Sequence, residues 1–102
     1  MIVAKITRPL VLATMVIAAP MALQASAPAP HYVAELAQPT DETRAIAGGV
    51  LFRCEGTRCI GPRSGHRPLR VCSQLRREVG DIASFSAGGE ALSVQRLEDC
   101  NR

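Results

Sequence analysis

Four cysteines, Cys54, Cys59, Cys72 and Cys100, are the residues of this chain best suited to chemistry. They are spaced C-x4-C, then 12 residues, then 27. Zinc knuckles often use C-x2-C pairs, and neither pair of cysteines here has that spacing. A redox dithiol needs C-x-x-C at a helix N-terminus, where the thiol pKa falls, and the chain has none. An even number of cysteines in a short exported chain instead reads as a disulfide framework. Three pairings are open. Cys54 and Cys59 flank a short loop between two strand-like runs, so a cross-hairpin bridge is natural. Cys72 and Cys100 lie on the apolar stripes of two helical segments. The favoured pairing is therefore 54–59 and 72–100, contributing about 2 and about 3.6 kcal/mol on loop-closure entropy alone.

The other reactive types are sparse. His31 lies near the start of the folded part, and His66 sits in the loop Pro62–Arg67 with Ser64 nearby and Ser73 beyond. Acyl transfer needs a positioned serine beside a base and an orienting acid, and no G-x-S-x-G elbow occurs. The glycine pairs Gly48-Gly49 and Gly88-Gly89 match neither a P-loop nor a dinucleotide fingerprint. No catalytic residue, metal site or cofactor is expected. The one charge concentration is Arg63, Arg67 and Arg70, with Arg76 and Arg77 further along. The first three could hold phosphate or carboxylate bidentately, on anionic lipid headgroups or a peptide carboxylate; the alternative is a solvated helix face.

The elements that must position these residues follow from pattern. Tyr32 and Val33 mark a strand within 31–37 that stops at Pro39. Residues 43–54 read as a strand with a bulge or bend at Gly48-Gly49. Val50–Cys54, a four-residue loop and Arg58–Gly61 read as a tight hairpin. Pro68–Val79 reads as a helix, with proline in its first turn, Leu69, Cys72, Leu75 and Val79 on one face and Gly80 as cap. Residues 81–87 read as an alternating strand, Gly88-Gly89 as a turn, and Ser93 as the N-cap of a short helix with Val94, Leu97 and Cys100 apolar at i, i+3 and i+6. The expected fold is α+β: a small antiparallel sheet of three to four strands with one tight hairpin, packed with two short helices and stapled by disulfides. A core this small needs such staples.

The N-terminus has a different task. Lys5 and Arg8 precede an apolar run, Leu10–Ala19, which ends at Pro20 and is followed by Ala22, Ala25, Ser26 and Ala27. This is the pattern of a secretory signal peptide over residues 1–25, and it is shorter than a membrane span requires. Cleavage after Ala25 is preferred to cleavage after Ala27, because the latter puts Pro28 next to the cut. A Pro/Ala spacer, residues 26–30, then leads to a small α+β domain, residues 31–102. Removing Lys5 and Arg8 from the 12 basic residues leaves about 10, almost balanced by the 9 acids, which argues against a general nucleic-acid binder.

The segments TRAIAGGVLFRCEGTRC, RPLRVCSQLRREVG and IASFSAGGEALSVQRLEDCN resemble an uncharacterised family of short exported, signal-peptide-bearing four-cysteine proteins from alphaproteobacteria. The resemblance spans about residues 32–101. It implies a shared disulfide-stapled domain and transfers no activity. The expectation is a periplasmic or secreted, non-catalytic protein that interacts with, or forms part of, the cell envelope. Its partner would be an unknown protein or envelope component, with no nucleic acid, and with membrane contact only through the signal peptide before cleavage. The alternatives are a secreted inhibitor- or toxin-like peptide, or a small hydrolase using His66.

Overall fold

A computed structural model describes residues 29–102. The expected signal peptide lies outside the described residues. Of the spacer, Ala29 and Pro30 are described, and both are exposed.

The glycine pair decides the first hairpin. Strands β2 (Arg44–Ala47) and β3 (Val50–Glu55) are joined by Gly48 and Gly49, at φ 61° and 75°. Two successive residues at positive φ make a two-residue hairpin turn. Residues 43–54 are thus two antiparallel strands, with Ala47 facing Val50, rather than one strand with a bulge. The next hairpin joins β3 to β4 (Arg58–Gly61) around Gly56 and Thr57. Glu55 and Arg58, expected in its loop, already pair across the strands.

Strand β1 (Tyr32–Leu36) pairs antiparallel with β4 on one side and with β5 (Ile82–Ala87) on the other. Gly88-Gly89 then turns the chain into β6 (Glu90–Ala91). The six-stranded order is β2-β3-β4-β1-β5-β6. Six strands stand where three to four were expected, because each glycine pair closes a hairpin and so adds a strand.

Helix α1 (Pro68–Val79) is the predicted one: proline opens it, and the Gly80 amide closes it on the Arg76 carbonyl. Val71, Cys72, Leu75 and Val79 are its buried face. Helix α2 (Val94–Cys100) is capped by the Ser93 hydroxyl, which accepts from the Arg96 amide. Val94 shares the apolar spacing of Leu97 and Cys100 but is 74% exposed. It sits in the first turn, at the end of α2 away from Cys100, the helix's buried residue.

Both helices pack on one side of the sheet. The core beneath them is centred on the chain's three Phe and Tyr residues. Tyr32 lies between Phe52 and Phe85, its ring centroid 5.7 Å and 5.6 Å from theirs. Ile82 and Phe85 are both buried although three residues apart, which strict alternation forbids. Ser84 faces Glu35 and Ile82 faces Leu36, so Ala83 is an extra residue that returns Ile82 to the core face.

Candidate functional site

The cysteines pair as expected. Cys54 and Cys59 face each other directly across β3 and β4, with Cα atoms 4.0 Å apart. Cys72 in α1 joins Cys100 at the end of α2, with Cα atoms 5.6 Å apart. All four are buried. Such bonds are consistent with an oxidising, extracytoplasmic location.

The loop before α1 is held by a buried polar node. The Ser64 hydroxyl donates to the Gly48 carbonyl at 2.6 Å and accepts from the His66 amide at 3.1 Å. The Ser64 amide donates to the Tyr32 hydroxyl, and the Gly48 amide donates to the Gln74 side chain. Ser64 thus meets His66 through the backbone and not through its exposed imidazole. This serine ties the β2–β3 turn to the loop before α1 and to the core tyrosine, and Gln74 ties the turn to α1 itself.

The predicted arginines divide between two places. Arg63 borders a shallow depression with Leu51, Arg53, Ile60 and Pro62, on the side of the sheet away from the helices. Arg67 is the residue before α1, and Arg70 is exposed in its first turn. Among the described residues, none of the three side chains forms a hydrogen bond or ion pair.

The helix-free face of the sheet is organised in rows. Nearest the Gly56-Thr57 turn, Glu55, Arg58, Glu35 and Ser84 lie side by side on successive strands. Their charges alternate, and the two acids outnumber the one arginine. The next row is Arg44, Arg53, Ile60, Val33 and Ser86. The last, beside the Gly48-Gly49 turn, is Ile46 opposite Leu51. Arg44 and Arg53 are exposed, and Ile46 and Leu51 are 61% and 38% exposed. The β2–β3 hairpin therefore presents an aliphatic pair at its tip and an arginine pair one step behind. Among the described residues, neither arginine has an acidic partner within ion-pair distance.

A family model matches residues 11–102. The chain belongs to the Family of unknown function (DUF8200). No curated protein and no solved structure matches it. Membership of DUF8200 thus brings no site with it, and the arrangement above stands on geometry. Among the described residues of this DUF8200 chain, no cluster of three or more His, Cys, Asp or Glu could hold a metal ion, and no helix is long and apolar enough to cross a membrane.

Sequence reasoning found Arg63 and missed Arg44, Ile46, Leu51 and Arg53. The signal was present. Once Gly48-Gly49 is read as a two-residue turn, counting outward pairs 47 with 50, 46 with 51 and 44 with 53. Buried Ala45, Ala47 and Phe52 then leave the alternate residues on the open face.

Proposed function

We propose that the protein is an exported, disulfide-stabilised, non-catalytic interaction domain of the cell envelope that works through the helix-free face of its sheet. One observation carries this reading: Ile46 and Leu51 stand exposed side by side on that face, next to Arg44 and Arg53. Aliphatics exposed singly are ordinary on protein surfaces; here two are adjacent and bordered by polar groups, the arrangement that larger contact patches share. The two disulfides support export, because such bonds persist in oxidising compartments. The hydrolase alternative would need the His66 ring to engage a hydroxyl, and the nearby Ser64 hydroxyl is committed to the Gly48 carbonyl.

The test is site-specific photocrosslinking in intact envelopes. A photoreactive amino acid replaces Leu51 in one variant and Arg77, exposed on α1, in another. A saturable adduct from position 51 and none from position 77 is expected. No adduct from position 51, or equal yields from both positions, would overturn the reading.

A further inference from the structure

We infer that the β2–β3 hairpin docks tip first on an anionic phospholipid bilayer, with Ile46 and Leu51 entering the acyl boundary and Arg44 and Arg53 meeting the lipid phosphates. The inference rests on the interaction reading above and names the partner of that face.

The first argument is charge. Arg44 and Arg53 are directly opposite each other on neighbouring strands. Like charges in that position repel and destabilise the pair. Among the described residues, no acid lies within ion-pair distance of either. Arg63 borders the same depression as Arg53 and adds a third positive charge. The acids of this face, Glu35 and Glu55, instead flank Arg58 in the row farthest from the tip. The positive excess therefore sits at the tip end, and an anionic surface would relieve the repulsion there. Arginine suits phosphate because its planar fork donates two parallel hydrogen bonds.

The second argument is depth. Along a strand, residues two apart are separated by about 6.8 Å. The arginine pair thus stands about 6.8 Å behind the aliphatic pair. Interfacial segments bury their apolar residues about 5–10 Å into the boundary between headgroups and acyl chains. A hairpin entering tip first would put each pair at the level its chemistry suits. The tip is also held firmly from behind: the Gly48 carbonyl is bonded to Ser64 and its amide to Gln74 of α1. This contact would belong to the folded domain, in contrast to the expectation that only the signal peptide meets the membrane.

The exported protein, purified from the envelope, is mixed with vesicles of phosphatidylcholine alone or of phosphatidylcholine with phosphatidylglycerol. The chain has no tryptophan, so Leu51→Trp supplies a clean reporter at the tip and Ser84→Trp a control at the far end of the same face. With anionic vesicles, Leu51→Trp emission shifts to the blue and is quenched by brominated acyl chains, while Ser84→Trp does not change. Replacing both arginines by glutamine weakens binding about 30-fold, at the usual contribution of a basic residue near an anionic surface, and added salt weakens the wild type. Absence of binding to the anionic vesicles, equal shifts at both positions, or binding unchanged in Arg44→Gln/Arg53→Gln would overturn the inference. A saturable protein adduct at position 51 with no vesicle binding would overturn the lipid inference alone and leave the interaction reading standing. Loss of the position-51 adduct would remove both.

Discussion

Asn101 holds Ile82 by both of its backbone groups. Its carboxamide oxygen accepts from the Ile82 amide at 2.8 Å, and its nitrogen donates to the Ile82 carbonyl at 2.8 Å. One side chain thus acts as a neighbouring strand at the start of β5, beside the extra residue Ala83. Asn101→Ala leaves both groups unpaired in a part-buried place and should lower unfolding free energy by about 1–3 kcal/mol. Hydrogen exchange at the Ile82 amide is the specific readout. Unchanged protection there would show that the clamp contributes nothing.

The two glycines of the first hairpin should respond differently to alanine. At Gly49 a Cβ meets open space, so Gly49→Ala carries only the left-handed backbone cost of about 1–2 kcal/mol. At Gly48 a Cβ would lie 2.7 Å from the Ser64 oxygen and 2.7 Å from a Val71 methyl. Gly48→Ala adds overpacking of about 1–3 kcal/mol to the same backbone cost. Urea melts of the two variants should differ by that amount, and equal losses would contradict the packing described for the turn.

The staples should contribute unequally. Cys72 and Cys100 are 28 residues apart, and Cys54 and Cys59 only 5. Replacing the first pair by serine should destabilise the domain by about 1–2 kcal/mol more than replacing the second, on loop closure alone. Denaturant melts of the two double variants decide it. Equal losses would mean that the 54–59 bridge does more than close a hairpin that its turn already favours.

Processing can be weighed directly. If residues 1–25 are removed on export, the intact mass of the envelope form corresponds to a chain beginning at Ser26. A start at Pro28 would move the cut and keep the signal peptide. A stable full-length form would remove it.

Much of this arrangement was legible in the sequence where a local rule decides alone. Pro68 and Gly80 bracket α1, Ser93 caps α2, and the apolar stripes carrying Cys72 and Cys100 point the two sulfurs at each other. Where two local rules compete, the sequence was ambiguous. A glycine pair inside a strand-forming run fits a bulge as well as a turn, and only the pairing of 44–47 with 50–53 separates them. The extra residue at Ala83 has no local mark, because it answers to Leu36, distant in sequence. The arginine pair was hidden for the same reason: residues 44 and 53 become neighbours only once the chain reverses at 48 and 49. Arg63, Arg67 and Arg70 are neighbours in sequence, yet Arg63 borders the helix-free side of the sheet while the other two start the helix.

The strand order sets a timetable for the nascent chain. Among the described residues β1 is the first strand synthesised, and it ends up in the interior of the sheet between β4 and β5. β2, β3 and β4 can zip together as soon as Gly61 exists, because each follows its neighbour through a two-residue turn. β1 can then join β4, but its other edge stays open until residues 82–87 have been made. A chain halted before that point carries Tyr32 and Leu36 on a strand with one unsatisfied edge, the kind of template on which a second copy can pair. Arrival of β5, rather than completion of the first hairpins, therefore covers the strand that carries the core tyrosine and moves the open edge of the sheet outward to β5 and the short β6.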